Sequence, residues 1–131
     1  MAQSLGISEC VLFLGHRDDI YDVLRAFDLL VLSSDHEGLP MVLLEAQCLG
    51  IVVVARAVGG IPDVIQDGVN GLLVDSNDPR SLAQACLRAL SDRARSERLA
   101  EAGVLSVTNN FAAATTAQQV ARLYSSLVTR P

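Results

Sequence analysis

Lysine is absent from this chain of 131 residues, and all ten of its basic residues are arginine. The absence excludes three kinds of site that each need one particular lysine: a Walker-type phosphate loop, a Schiff-base enzyme and a two-component receiver domain. The last exclusion matters because Asp18, Asp19 and Asp35 follow two predicted strands and would otherwise imitate the acidic pocket of a receiver.

Tryptophan is also absent, and aromatic residues make up only 4% of a chain that is 50% hydrophobic and 19% charged. This composition excludes disorder, and its Leu, Val, Ile and Ala are typical of a parallel sheet covered by helices. The formal net charge is −5. Nucleic-acid binding is disfavoured, because it needs basic grooves and, for single strands, exposed aromatic rings.

Cysteine is scarce, and Cys10, Cys48 and Cys86 form no closely spaced pair. We expect buried, reduced thiols and no disulfide or metal role. The amino terminus lacks the basic and apolar regions of a signal peptide, and no run of about 20 apolar residues could span a membrane. These absences favour a cytoplasmic location.

Short apolar runs alternate with helix-like patterns along the chain. The runs predict strong strands at 11–14, 29–32 and 51–55 and a weak one at 72–74. Helical spacing, caps and proline positions predict helices near 20–27, 40–49, 62–65, 78–90, 92–102 and 113–128. The helix at 78–90 carries its apolar residues on one face, which we expect to be buried: Leu82, Cys86, Ala89 and Leu90. The fold class is therefore α/β, a Rossmann-like open parallel sheet flanked by helices. Four strands are few for that fold, so we expect a bare sheet edge and a chain that is part of something larger.

Two glutamates are the best candidates for a site. Glu45 is the single charge on the apolar helix at 40–49, so its carboxylate needs hydrogen-bond donors from a ligand or from the protein. Glu37 lies in the loop before that helix, at the carboxyl end of a predicted strand, where open α/β sheets bind ligands. Gly38 lets a ligand approach the backbone, and the first turn of the helix offers an anion site without lysine.

Several motifs in the order found here resemble the donor-binding domain of the retaining glycosyltransferases of family 4, which have the two-domain GT-B fold. The resemblance covers nearly half the chain. The residues that carry it are Gly15-His16-Arg17-Asp18-Asp19, Asp28 to Ser34, Glu37-Gly38-Leu39-Pro40, Glu45, Gly50 to Val54, Gly59-Gly60, Asp67-Gly68 and Gly71 to Val74.

The resemblance implies a role for each matching residue. Glu45 would accept from the ribose hydroxyls of a nucleotide sugar, and Glu37 would contact the transferred sugar as the catalytic-site carboxylate. The backbone at Gly38, Leu39 and Pro40 would lie beside the sugar and the diphosphate. The residues expected to border the base are His16 and Arg17. No metal or other cofactor is expected, since no Asp-x-Asp is present to hold a divalent ion.

Some features depart from the family pattern. Arg56 stands where a small hydroxyl residue is common, Val52 where proline is usual and Asp63 where glutamate is common. The family's basic pair for the donor diphosphate lies on elements before Gly15 that have no counterpart in this chain. The expected division is a partial donor-binding domain at 1–110 and a terminal crossover helix at 111–131, with the amino-terminal acceptor-binding domain absent.

The function implied is transfer of a sugar from a UDP, GDP or ADP sugar to the hydroxyl of a sugar or lipid-linked acceptor, bound through the missing domain. We expect the chain alone to be inactive, the larger protein to lie in the cytoplasm or at the inner membrane face, and the exposed terminal helix to mediate a homodimer. The rival functions are a non-catalytic nucleotide- or protein-binding module and a GT-B sugar-nucleotide epimerase.

Structural roles without a ligand remain open for three of these residues. Glu45 could form a structural ion pair with Arg17 or Arg56, and Glu37 could be a solvated loop carboxylate. His16 is balanced between packing and lining a base pocket.

Overall fold

Three parallel strands form the sheet in the computed structural model, which describes residues 1–128. The strands are β1 (Leu29–Leu32), β2 (Val52–Arg56) and β3 (Leu72–Val74), in that spatial order. The register pairs Leu30 with Val53 and Val54 with Leu72. All three strands therefore end at one edge of the sheet, and the loops that follow them gather there.

Six α-helices accompany this sheet within residues 1–128, and the last of them packs on the fifth helix rather than on the sheet. They are α1 (Ile20–Arg25), α2 (Met41–Cys48), α3 (Ile61–Val64), α4 (Pro79–Ser91), α5 (Arg93–Asn110) and α6 (Ala113–Val128), preceded by a 3-10 turn at Ser8–Cys10. The predicted fold class is confirmed, with the expected alternation of strand and helix from β1 onward. Pro40 precedes the first residue of α2, and Gly50 follows its end with φ +70°, as a helix-terminating glycine should.

The central strand β2 is buried on both faces, which divides the core in two. Val53 and Ala55 face the cluster built by α1, α2 and α3, which includes Leu24, Leu43 and Ile61. Val52 and Val54 face the other cluster, which β3, α4 and α5 complete. Side chains alternate across a strand, so an uninterrupted apolar run such as 51–55 suits a strand covered by helices on both sides.

The predicted strand at 11–14 is wrong. These residues form no strand, and Leu12 and Phe13 are 81% and 84% exposed. A strand needs a neighbour to take its backbone hydrogen bonds, and within residues 1–128 no strand lies beside this segment. As a result, β1 has a neighbouring strand on one side only, and its Val31 is 40% exposed. The predicted bare edge is therefore present in the described sheet.

Two helix predictions need correction. The helix expected at 92–102 continues as α5 to Asn110, through Gly103, whose lack of a side chain lets it pack against Gln47. Leu90, expected on the buried face of α4, is 57% exposed, whereas Ala85 and Ala89 supply the contacts. Small residues suit that face because they let α4 approach the sheet closely.

The expectation of buried thiols is wrong for two of the three cysteines. Cys10 and Cys48 are exposed, and only Cys86 is partly buried, beside the cluster that holds α4 against the sheet. Cys48 lies at the last residue of α2, on the side of the helix away from the core. All three are free thiols, as predicted.

The terminal helix α6 begins and ends where the sequence predicted, at Ala113 and Val128. Its apolar residues Val120, Tyr124 and Leu127 are 46%, 66% and 57% exposed. The last part of the predicted 111–131 segment, residues 129–131, lies outside the described residues. In the described part of the chain, no helix is both long and apolar enough to cross a membrane.

Candidate functional site

The loop between β1 and α2 carries the candidate residues at the edge where all three strands end. Glu37 is half-buried in this loop, while Gly38 and Leu39 are exposed and Pro40 caps the start of α2. The first N–H groups of a helix have no partner within the helix and carry the positive end of its dipole. The geometry therefore places Glu37 next to a set of donors suited to an anion.

Gly59 and Gly60 lie directly against this loop, and we call the pair the glycine floor. The N–H of Gly60 donates to the carbonyl oxygen of Gly38 at 2.7 Å. A Cβ at Gly60 would lie 2.5 Å from the same oxygen, and one at Gly59 would collide with the carbonyl group of Glu37. Gly59 also has φ +55°, which other residues rarely adopt. The contact between this pair and the loop is one of main chain against main chain.

Glu45 is the fifth residue of α2, about one turn from its start, and its partner is a tyrosine. The Tyr21 hydroxyl on α1 donates to Glu45 Oε1 at 3.2 Å. The negative charge of that carboxylate, followed by the hydrogen bond itself, raises the pKa of Tyr21 above its ordinary value. Tyr21 therefore stays protonated and keeps donating throughout the neutral range.

Neither arginine proposed as a structural partner of Glu45 contacts it. Arg17 pairs with Asp19 through both its Nε, at 2.7 Å, and a terminal nitrogen. This pair raises the pKa of Arg17 and lowers that of Asp19, in each case chiefly through the side-chain hydrogen bond. Arg56 binds other residues at the edge of the sheet. The ion-pair alternative for Glu45 is therefore wrong in this structure.

His16 and Arg17 both lie in the irregular segment between residues 11 and 19, and both are exposed. The His16 side chain is 92% exposed, with Nε2 3.4 Å from Asp18 Oδ1, so packing against the core is not its role. Lining a base pocket stays a prediction for both residues.

Gln47 and Asn70 form a buried polar pair that sequence reasoning missed. Gln47 Nε2 donates to the backbone oxygen of Asn70 at 2.9 Å. The Asn70 amide in turn donates to the Val64 carbonyl and accepts from the Gln66 N–H. The pair ties α2 to the turn before β3, so the helix that carries Glu45 is anchored at its opposite face. Its only sequence signal is an amide within an apolar helix.

The acidic residues between α3 and α4 serve as turns and caps where the structure shows their partners. Asp67 Oδ1 accepts from the Leu73 N–H at 2.9 Å, and Asp78 Oδ1 accepts from the Arg80 N–H at 3.0 Å at the start of α4. Among residues 1–128, no three His, Cys, Asp or Glu side chains are grouped so that they could share an ion.

Superposition on solved structures defines the class of protein: an α/β domain of the GT-B glycosyltransferase type. The superposition with Anabaena Alr3699/HepE in complex with UDP has a TM-score of 0.89 at 31% identity and covers 95% of this chain and 35% of that one. The same protein in complex with UDP-glucose superposes with a TM-score of 0.86, at 31% identity, over 95% of this chain and 35% of that one.

Sequence comparison agrees with the structural match. The chain is 36% identical to a D-inositol 3-phosphate glycosyltransferase of Corynebacterium urealyticum over all of its own length and 31% of the relative's. It is 33% identical to an N-acetyl-alpha-D-glucosaminyl L-malate synthase of Bacillus anthracis over 95% of its length and 32% of the relative's. The chain thus spans about a third of the length of these relatives. Residues 1–105 match the family Glycosyl transferases group 1, and the chain belongs to that family.

Proposed function

We propose that this chain forms the donor-binding part of a metal-independent, retaining glycosyltransferase of family 4. The observation that carries the proposal is the loop of Glu37 and Gly38, held by Gly59-Gly60 at the carboxyl edge of the sheet and leading directly into the helix of Glu45. The likeness to a protein crystallised with UDP and with UDP-glucose supports a nucleoside diphosphate sugar as the ligand.

In this proposal Glu45 accepts hydrogen bonds from the ribose hydroxyls. An ionised carboxylate has about four lone-pair sites, and Tyr21 uses one of them at Oε1. The remaining capacity suits a cis-diol, which offers two donors to two acceptor oxygens. Because Tyr21 and Gln47 restrain the side chain and its helix, little rearrangement would be needed on binding.

Glu37 faces the transferred sugar, and the backbone of Gly38, Leu39 and Pro40 borders the diphosphate. The bond between the anomeric carbon and the diphosphate oxygen breaks, and a bond to the acceptor oxygen forms on the same face of the sugar, while the acceptor's hydroxyl proton passes to the leaving diphosphate. Negative charge grows on the leaving diphosphate, close to the first amides of α2, which are fixed dipoles of the right sign. Catalysis by this part of the protein is therefore positioning and charge stabilisation.

The identity of the donor is tested by titrating the 15N-labelled chain with UDP-, GDP- and ADP-glucose up to millimolar concentration, which detects weak binding residue by residue. We expect one base to shift the amides of Gly38, Met41 and Val42. Glu45→Ala removes these shifts, and Glu101→Ala, which deletes an exposed carboxylate of α5, leaves them unchanged.

Two results of this titration would contradict the proposal. One is the absence of saturable shifts with all three sugars, and the other is the same binding curve in Glu45→Ala as in the parent chain. Addition of EDTA should leave the curve unchanged, because the proposed contacts use carboxylates and amides. Turnover of the nucleotide sugar by the chain alone, above the Glu45→Ala level, would overturn the expectation that other parts of the protein complete the enzyme.

A further inference from the structure

Arg56 joins the loops that follow the two outer strands, β1 and β3. It is the last residue of β2, and its side chain is only 12% exposed. One terminal nitrogen donates to Asp35 Oδ1, with the carbonyl oxygen of Ser34 at 3.5 Å, and the other donates to Asn77 Oδ1. Asp35 and Ser34 belong to the loop after β1, and Asn77 to the loop after β3. A single guanidinium therefore bridges the loops on either side of its own strand.

The chemistry of this bridge suits a fixed brace. A guanidinium is planar and holds its donors in a rigid fork. The Nε of Arg56 is buried without a hydrogen-bond partner in the described chain. A buried N–H without a partner lowers stability, and an ion pair whose acid is exposed, as Asp35 is, contributes little to stability. Stability alone is thus a poor reason for an arginine at this position.

Asp35 lies two residues before Glu37 in the same short loop. The glycine floor fixes the loop at Glu37 and Gly38 through its backbone, and Arg56 fixes it on the other side of Glu37 through Ser34 and Asp35. Glu45, by contrast, lies on α2 and is restrained by Tyr21 and by the anchoring of its helix. The two carboxylates are therefore held by separate sets of contacts.

We propose that Arg56 is a positioning residue of the donor site, which orients the Glu37 loop toward the sugar moiety while leaving the nucleotide contact at Glu45 unaffected. This inference rests on the function proposed above. It assigns discrimination between a nucleotide sugar and the bare nucleotide to a residue that touches neither.

The test compares the affinities for UDP-glucose and for UDP, or the equivalent pair for the base that the titration selects, in Arg56→Gln and Asp35→Asn. Both variants remove the charge pair and keep a polar side chain. We expect the affinity for the nucleotide sugar to fall about tenfold, equivalent to about 1.4 kcal/mol, with that for the nucleotide unchanged. The control is Arg93→Gln, which breaks an exposed ion pair with Glu97 on α5.

Equal losses for both ligands would show a merely structural role, and unchanged affinities for both would also overturn the proposal. Asp35 is 80% exposed, so Asp35→Asn should fold even where Arg56→Gln does not, and it carries the same prediction. Failure of the donor site itself is distinguishable: the parent chain then binds neither ligand, or Glu45→Ala binds as the parent does, and the inference about Arg56 falls with it.

Discussion

Replacement of Gly59 by alanine tests the contact on which the candidate site is built. The new Cβ would lie 2.7 Å from the carbonyl carbon of Glu37 and closer still to its oxygen, whereas unbonded carbon atoms are most stable about 3.5–4.0 Å apart. The atoms that the new Cβ meets are all main-chain atoms of Glu37, so no flexible side chain can move aside. We expect the loop of Glu37 to shift away from the turn.

The cost has two parts. Alanine in the left-handed region costs about 1–2 kcal/mol, and Gly59 has φ +55°. The forced contact adds about 1–3 kcal/mol, as overpacking in well-packed sites does. The matched control is Gly50→Ala, with φ +70° but only ordinary contact, 3.9 Å from Val104. Gly50→Ala therefore has the cost of the left-handed backbone without that of the forced contact. Both variants restrict the unfolded chain equally, so this effect cancels when their stabilities are compared.

Urea and thermal unfolding of the two variants give the comparison. We expect Gly59→Ala to be about 1–3 kcal/mol less stable than Gly50→Ala, with a melting temperature lower by about 3–5 °C per kcal/mol at this chain length. Binding of the nucleotide sugar should be lost in Gly59→Ala and kept in Gly50→Ala. Equal stability of the two variants, or a Gly59→Ala protein that binds normally, would refute the close packing of loop on turn.

Two further predictions concern titration and reactivity. The raised pKa of Tyr21 means that its phenol loses its proton above the ordinary value near 10, so the stability it contributes is present below that pH and is lost as pH rises further. With the other tyrosine replaced by phenylalanine, ultraviolet titration should show this raised pKa, and Glu45→Gln should lower it toward the ordinary value. An unshifted midpoint in the parent chain would contradict the hydrogen bond. Burial raises the pKa of Cys86, so a thiol reagent at neutral pH should modify the two exposed cysteines quickly and Cys86 slowly, and three equal rates would contradict the packing of α4.

The sheet and helices after residue 28 were predictable because local signals and tertiary structure agree there. Gly50 ends α2 as its position predicted, and the apolar run from Ile51 to Ala55 is the doubly covered strand that its composition indicated. The strand at 11–14 was wrong because an apolar run carries no information on whether a neighbour strand is present. The predicted helix at 92–102 was too short. A glycine often follows the end of a helix, whereas Gly103 lies within α5 and allows close packing against Gln47.

The position of the candidate site in the fold was predictable from the sequence, but the residues that hold its side chains and loop in place were not. A loop at the carboxyl end of a strand, followed by a buried helix with one carboxylate, located Glu37 and Glu45. The partners Tyr21 and Arg56 could not be inferred, because each acts over more than 20 positions of sequence. Pairings of this kind depend on how α1 and β2 are placed relative to the loop, which no local pattern encodes.

The glycine floor has a consequence for how the site can change. The direct hydrogen bond between this floor and the loop of Glu37 joins two backbones, and the packing around it forbids side chains only on the floor. The path of the loop at residues 37 and 38 is thus independent of which side chains stand there. Substitutions at Glu37 or Leu39 should alter the chemistry presented to a sugar without refolding the loop. Under the proposed function, single substitutions in this loop should therefore change the sugar preference while the scaffold stays the same.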